Sequence, residues 1–429
     1  MNGGRREDGP SRRGFLVAAG GMIAAGGAGF AARAAEESAA KTPSPAQPAK
    51  EAALTEPFFG EHQAGIATPA QSHTYFAAVD LTTAKREDVV ALLRTWTEAA
   101  ERMTSGDTAA TLGQEPAEPP ADSGDALGLV PARLTLTFGF GAGLFVKDGN
   151  DRYGLAARRP EALVDLPRFN GDQLAPTRSG GDLSLQASAD DPQVAFHAVR
   201  QLVRLAYGSA QMRWAQTGFS SAAADGGTPR NLMGFKDGTQ RPESFDQVVW
   251  IGNDGPEWMR GGSYLVVRRI RIALEHWDRM ERGFQEEVMG RHKYSGAPLG
   301  KSGEFEPLDL EAMDKDGNPV ISDNAHVRLA AAASNEGAQI LRRGYSYNDG
   351  VNFTAERWPP WRQGMEYDAG LLFLAYQRDP RTGFIKIYEN MSKLDMMNQF
   401  VTHTGSGLFA VPGGIAKGEF VGQRLFESA

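Results

Sequence analysis

Apolar and polar positions in the first half of the chain follow the spacings of alternating strands and helices. Short apolar or alternating runs predict strands at residues 74–81, 134–140 and 182–187. Apolar residues recur every three to four positions at 86–103 and 192–207, which predicts two amphipathic helices. Asp191 precedes Pro192 and is the expected N-cap of the second helix. This order of elements is an α+β pattern of the ferredoxin-like kind.

The second half of the chain alternates in a similar way. Strands are predicted at 247–252, 263–272 and 370–377, with a further strand around 339–347, and helices at 274–289 and 394–402. No repeat is visible in the sequence itself, so a duplicated layout is an expectation about architecture alone. We place an N-terminal domain at 57–225 and a C-terminal domain at 226–424.

The first 56 residues differ in composition from the rest of the chain. Residues 1–34 have a charged start, a run rich in Gly and Ala, and small residues before their end, which is the form of an export signal. The pair Arg12 and Arg13 followed by Phe15 and Leu16 resembles a twin-arginine signal. An uncleaved membrane anchor is the alternative. Residues 35–56, rich in Ala, Pro, Ser and Glu, are interpreted as a flexible linker. We expect a protein exported by the twin-arginine translocase to the periplasm or the medium.

Composition excludes several classes of protein. A hydrophobic content of 41% is enough for a sizeable core and excludes wholesale disorder. The net charge of -8, with no visible basic face, argues against nucleic acid as a partner. The chain has no Cys, which excludes disulfides, thiolate catalysis, Cys-ligated zinc, iron–sulfur clusters and thiolate-ligated haem. The seven His remain as nitrogen ligands.

Three segments contain residue types that suit chemistry at a shared site. Asp237 lies between Gly234 and Gly238, and glycines let the backbone approach a flat or anionic ligand, although a plain turn explains them equally. His326 precedes a run of small residues and is either a metal ligand or a core histidine. Arg342 follows apolar residues on a predicted strand, which suggests that its side chain points inward. A buried guanidinium needs an anionic partner such as a carboxylate, a propionate or a peroxide. An interdomain salt bridge is the alternative for that arginine.

Taken together, these segments identify a resemblance. GFKDG at 234–238, NAHVRLA around His326 and ILRRGYSY at 340–347 resemble motifs of the dye-decolourising peroxidases, a haem b family. The resemblance extends from PFFGEHQAGIATPAQ at 57–71 to FVTHTGSGLFAVPGG at 400–414, over nearly the whole chain after the signal. The export signal and the GFKDGT motif look closest to the exported deferrochelatase/peroxidase branch. AAAASNEG, after His326, departs from the Pro- and Arg-containing turn of many relatives, which puts propionate contacts there in doubt.

The resemblance implies a fold and a cofactor. It implies two ferredoxin-like α+β domains in a dimeric α/β-barrel-like superfold, with one haem b per chain held mainly by the C-terminal half. His326 is then the axial ligand of the haem iron, with Asp395 expected as the acceptor behind its other ring nitrogen. The backbone of Gly238, Thr239 and Gln240 is expected against the haem edge. Leu372 and Phe373 are either pocket walls or plain core residues.

The resemblance also implies a reaction. Asp237 is the expected acid/base that moves the peroxide proton, and Arg342 is expected to stabilise developing negative charge and to contact Asp237 or a propionate. Because a free aspartic acid has a pKa near 3.9, the expected optimum is acidic, at roughly pH 4–5. The implied activity is reduction of hydrogen peroxide through Compound I, with oxidation of dyes, phenols or other one-electron donors.

Two alternative functions stay open at this point. A deferrochelatase would release iron from haem and leave protoporphyrin intact, so that haem is the substrate. A haem carrier in iron uptake would have no need of Asp237 and Arg342. Monomer and homodimer are both compatible with the sequence. Electron transfer to bulky dyes would need aromatic residues, and the candidates, which packing explains equally well, are Tyr345, Tyr347, Trp358 and Trp361.

Overall fold

Eight strands close into a single barrel. The computed structural model describes residues 54–223, 226–355 and 363–427; the predicted signal, most of the predicted linker, Trp358 and Trp361 lie outside them. In chain order the strands are β1 His73–Leu81, β2 Thr135–Gly141, β3 Leu183–Ala189, β4 Ala210–Phe219, β5 Ser263–Ile272, β6 Leu341–Ala355, β7 Gln363–Gln377 and β8 Val401–Val411. Around the barrel they follow the order β1-β3-β2-β8-β5-β7-β6-β4. Every neighbouring pair is antiparallel.

Helices connect the strands, and one further helix follows the last strand. They are α1 Arg86–Thr104, α2 Ala142–Phe145, α3 Pro192–Leu205, α4 Phe245–Val248, α5 Leu274–Trp277, α6 Arg282–Met289, α7 His326–Ala330, α8 Phe384–Leu394 and α9 Gln423–Phe426. Within the described ranges, none of these helices combines the length and the apolar character needed to cross a membrane.

The two halves of the chain share one layout. The first four strands follow the order β4-β1-β3-β2 around the barrel, and the last four follow the matching order β8-β5-β7-β6. In each half the connection after the first strand and the connection after the third contain helices, as in a ferredoxin-like unit. The predicted α+β class, with two ferredoxin-like units in one barrel, is therefore confirmed.

The helix α3 shows how the sequence sets a local structure. Asp191 has extended backbone angles, and its side chain accepts hydrogen bonds from the backbone N–H groups of Gln193 and Val194. It is the predicted N-cap, and Pro192 occupies the first turn, where a missing N–H costs nothing. Val194, Leu202 and other apolar residues at helical spacing are buried against β1 and β3.

Three of the predicted elements are wrong in type or are interrupted; in addition, β6 and β7 extend well beyond their predicted bounds, and β4 is not predicted at all. Residues 247–252, predicted as a strand, overlap the short helix α4 and an irregular buried stretch. Val249 and Trp250 are buried there by packing in the barrel core, so their apolar character reports burial and not strand pairing. The helix predicted at 274–289 is interrupted between Trp277 and Arg282. The side chain of Gln285 donates to the carbonyl oxygens of Trp277 and Met280, which satisfies the interrupted backbone.

The third error lies near the C-terminus. The predicted helix at 394–402 begins where α8 ends, and it spans a 3-10 turn at Met396–Gln399 and the start of β8. Asp395 causes this break, since its side chain accepts from the backbone N–H of Met397 and begins the new turn. Asp395 therefore lies at a junction after α8 and not inside a helix.

Candidate active site

A cavity of about 690 Å³ lies in the C-terminal half, between the outer face of the barrel and α7 and α8. Its lining residues fall between 231 and 403, which agrees with the expectation that this half holds the cofactor. The structure brings all of the predicted site residues to this cavity, namely Asp237, Gly238, Thr239, Gln240, His326 and Arg342.

Strand parity decides which side chains reach the cavity. On β7, Phe373 lines the cavity, whereas its neighbour Leu372 packs in the barrel interior with residues of β1, β5 and β8. Successive strand residues point to opposite faces, so only one of the two expected wall residues is a wall. Other apolar cavity walls are Ile270 and Ile272 on β5, Leu371 on β7, Met289, and Ile387 and Met391 on α8.

His326 is the first residue of α7 and is fixed by a carboxylate. Its Nδ1 lies 2.7 Å from Oδ2 of Asp395, whose side chain is buried. Because a carboxylate accepts hydrogen bonds, Nδ1 is the donor, which leaves Nε2 as the ring nitrogen available to a ligand. Nε2 has no hydrogen-bond partner in the part of the chain that the structure describes. The other oxygen of Asp395 accepts from the backbone N–H of Met397 at 2.8 Å, which holds the carboxylate in place. The predicted contact between Asp395 and His326 is confirmed.

Asp237 and Arg342 form an ion pair at the cavity. Nη2 of Arg342, on β6, donates to Oδ1 of Asp237. The amide of Asn231 lies 3.5 Å from the other carboxylate oxygen. The side chain of Arg342 is 33% exposed and therefore not buried as its sequence context suggests, and of the partners weighed for its guanidinium the structure shows the carboxylate.

The segment that carries Asp237 is a tight hairpin. The side-chain oxygen of Asn231 accepts from the backbone N–H groups of Met233 and Phe235, at 3.0 and 3.2 Å. The backbone N–H of Asp237 donates to the carbonyl oxygen of Pro229 at 2.8 Å. Gly238 has a φ of 111°, a region that side-chain-bearing residues rarely adopt, so the backbone turns along the cavity directly after Asp237.

The alanine stretch after α7 forms part of the wall. Ala331, Ala332 and Ala333 line the cavity and offer no side-chain donors, so any contact from them to a charged group uses the backbone. Charged groups reach the cavity from elsewhere, from Lys236, Arg241, Arg291 and Arg342. Although this stretch lacks the arginine that many relatives carry, the cavity still has cationic side chains from other segments.

A buried polar pair at the cavity was not predicted from the sequence. The hydroxyl of Tyr388, on α8, lies 2.6 Å from Nε2 of His403, on β8. Burial lowers the pKa of His403 well below its ordinary value, and the nearby charge of Arg268 lowers it further, so this imidazole is neutral. Tyr388 and His403 are 15 residues apart on different elements, and no local motif connects them.

Two of the four aromatic residues considered for electron transfer lie within the described residues, and both are buried. Tyr345 and Tyr347 are each 1% exposed and point into the barrel. The ring of Tyr347 stacks on the guanidinium of Arg269, 4.2 Å from the ring centre. Packing is therefore the better explanation of these two tyrosines.

The residues around the cavity suit a haem. His326 lines the cavity with Nδ1 occupied by Asp395, and a histidine ring nitrogen is the usual protein ligand of haem iron in a chain without Cys. Ile270, Leu371 and Phe373 offer apolar walls for a flat ring. The cavity volume falls within the range of cofactor and ligand pockets.

Comparison with known proteins agrees with this geometry. Residues 63–220 match the family model described as Dyp-type peroxidase, N-terminal, and residues 228–416 match Dyp-type peroxidase, C-terminal. The chain is 39% identical to the dye-decolorizing peroxidase of Thermobifida fusca (strain YX), with 98% of each chain covered. It is 36% identical to the deferrochelatase of Escherichia coli (strain K12), with 97% of each covered. The structure matches an oxyferrous/water complex of DtpA from Streptomyces lividans at 41% identity and a TM-score of 0.79, covering 89% of this chain and 100% of that one. The chain belongs to the Dyp-type peroxidase family of haem enzymes.

Proposed function

We propose that this protein reduces hydrogen peroxide at a haem b bound by His326, and oxidises dyes, phenols or other small one-electron donors at acidic pH. The observation that supports this most directly is the arrangement of two pairs at one cavity. The histidine–carboxylate pair of His326 and Asp395 suits metal binding. The ion pair of Asp237 and Arg342 suits proton transfer.

The histidine–carboxylate pair determines which ring nitrogen is available to the haem iron. Asp395 accepts the Nδ1 proton of His326, so Nε2 is the atom that would bind iron. A carboxylate partner also makes the imidazole more basic and fixes its ring orientation. When bound, haem supplies the iron at which peroxide reacts and stores the two oxidising equivalents.

The ion pair moves protons. Peroxide cleavage requires one proton to leave the oxygen nearer the metal and one to reach the outer oxygen. Asp237 has a carboxylate at the cavity that can take up and return such a proton. The guanidinium of Arg342 orients Asp237 and stabilises negative charge on the departing oxygen. An acidic optimum follows from using a carboxylate, and not an imidazole, as the proton acceptor.

Removal of iron from haem is the second candidate. It is favoured by the 36% identity to deferrochelatases over 97% of the chain. The two activities have different products. Incubation with haem, peroxide and a dye is expected to yield oxidised dye, with the porphyrin iron retained. If metal-free protoporphyrin accumulates instead, as detected by its fluorescence, the activity is iron removal. Haem binding without either product would leave the carrier function.

Export by the twin-arginine pathway is part of the proposal. The paired arginines at 12 and 13, the weakly apolar run after them and the small residues that end the segment support it. The mature protein would then act in the periplasm or the medium after meeting the translocase in a folded state.

A further inference from the structure

A carboxylate outside the cavity contacts the hairpin that carries Asp237 at three points. Glu304 lies in the segment after α6, and its side chain is 9% exposed. One carboxylate oxygen accepts from the hydroxyls of Thr228 and Thr239, the latter at 3.1 Å. The other oxygen accepts from Nζ of Lys236. The two oxygens thus receive three side-chain donors from the same hairpin.

These donors surround Asp237 in the sequence and in space. Lys236 precedes Asp237, Thr239 follows it after one residue, and Thr228 lies on the opposite strand of the hairpin, which a backbone bridge between Arg230 and Lys236 closes. The carboxylate therefore joins both strands of the hairpin at the position of Asp237. Within the hairpin, the backbone bond from Asp237 to Pro229 supplies a further connection.

Glu304 is itself held by a buried arginine. Nη1 of Arg291 donates to the carbonyl oxygens of Glu304 and Gly296, at 3.0 and 2.7 Å. The stem of Lys236 packs on Gly296, where an added Cβ would lie 2.7 Å from Cδ of Lys236. The segment 291–304 is thus a fixed surface under the hairpin.

The carboxylate of Glu304 is suited to three donors. Burial tends to raise its pKa, but the bonds from Lys236, Thr228 and Thr239 outweigh this and lower the pKa. Glu304 is therefore ionised and balances the charge of Lys236. A glutamine at 304 would keep the shape but remove the negative charge, so the ion pair with Lys236 is lost and the bonds with Thr228 and Thr239 are no longer strengthened by charge.

We propose that Glu304 is a positioning residue, whose carboxylate fixes the hairpin so that Asp237 meets Arg342 and the backbone of 238–240 lines the cavity. The consequence for catalysis rests on the proposed function of Asp237. The structural part does not, because it concerns the order of the hairpin alone.

The first test measures hydrogen–deuterium exchange in the purified full-length protein. Glu304→Gln is expected to raise the exchange rate of peptides that cover 228–240 by at least about tenfold, since the charge that strengthens the three anchoring bonds is removed. Glu306→Gln is the matched control, because among the described residues the carboxylate of Glu306 accepts hydrogen bonds from Ser302 and Gly303 of its own turn and none from the hairpin. Thr239→Val removes one donor and is expected to give a smaller increase. Equal protection of the hairpin in the wild type and in Glu304→Gln would overturn the proposal.

The second test separates the positioning role from the proposed function. Glu304→Gln loaded with haem is expected to react with peroxide at least about tenfold more slowly than wild type or Glu306→Gln, and to bind haem more weakly in a Soret titration. A looser hairpin with wild-type peroxide kinetics would overturn the catalytic consequence. A looser hairpin in a protein whose wild type does not react with peroxide would refute the proposed function and leave the positioning role intact.

Discussion

Asp395 receives the Nδ1 hydrogen bond of His326 over 2.7 Å, from a buried position directly after α8. The bond joins two segments that are 69 residues apart and fixes which nitrogen of the ring faces the cavity. Histidines that bind metals generally donate the N–H of their other ring nitrogen to an acceptor, which fixes the tautomer. His326 and Asp395 have this arrangement.

The first prediction concerns this pair. Asp395→Asn is expected to weaken haem binding by about 10- to 100-fold, because an amide no longer fixes the donor state of Nδ1 as a carboxylate does. Titration of the protein with haem, followed by its Soret absorbance, measures the effect. Asp323→Asn serves as the control, since Asp323 lies close to α7 in sequence but is largely exposed. Equal affinity in all three proteins would refute the role of Asp395.

The second prediction concerns Arg342. Arg342→Leu removes the charge that orients Asp237, and it is expected to slow the reaction with peroxide by about 10²- to 10³-fold. Haem affinity should change much less than the rate, and a stopped-flow rate together with a haem titration distinguishes the two. Arg378→Leu is a suitable control, because Arg378 pairs with Asp254 away from the cavity. A loss confined to haem affinity would assign Arg342 to cofactor binding alone.

The third prediction concerns stability and pH. Burial lowers the pKa of His403 in the folded protein, while the unfolded chain titrates near the ordinary value of about 6.5. Below that pH the unfolded state binds a proton that the folded state does not, so the free energy of unfolding falls as the pH falls. The slope from this residue is about 1.4 kcal/mol per pH unit.

Denaturant unfolding at several pH values between 5 and 7 measures this slope. His403→Gln keeps an acceptor for the hydroxyl of Tyr388 and removes the titrating group, so it is expected to lose about one proton's worth of pH dependence. His73→Gln removes a histidine from the start of β1 that is not buried, and it is the control for the loss of any histidine. Parallel pH profiles of wild type and His403→Gln would contradict the prediction.

The fourth prediction concerns export. Replacing Arg12 and Arg13 together by Lys is expected to retain the protein in the cytoplasm, because the twin-arginine signal depends on the paired guanidinium groups. Fractionation of cells that produce either form shows the result. Replacement of Arg5 and Arg6 by Lys is the matched control and should not change export. Export of the Arg12 and Arg13 variant would point to a different pathway.

The sequence predicts the site better than it predicts the local structure around it. Asp237, His326 and Arg342 lie in short motifs, and a motif identifies a residue whatever its secondary structure. The sequence also predicts six of the eight described strands, because buried strands have a strong apolar signal, but it misses β4 and β8. Near Asp395 the same signal failed, since one capping side chain ends a helix and begins a different turn.

Other parts of the site depend on contacts between distant segments. Glu304 lies 65 residues from Thr239 and 68 from Lys236, and nothing in its neighbourhood distinguishes it from Glu306. The choice between Leu372 and Phe373 as a wall residue required the register of β7. The pairing of Tyr388 with His403 required the packing of α8 on β8. These contacts are set by the tertiary fold, which local patterns do not contain.

The reaction of the haem-loaded protein with one equivalent of hydrogen peroxide tests the central claim most directly, when wild type is compared with Asp237→Asn by rapid-mixing absorbance. If Asp237 moves the peroxide proton, wild type changes its Soret band within milliseconds and returns to its resting spectrum when a dye is added. The variant should then react about 10²- to 10⁴-fold more slowly with its haem still bound. Equal rates in the two proteins would contradict the role of Asp237, and a Soret band that does not respond to peroxide in wild type would contradict the peroxidase function itself.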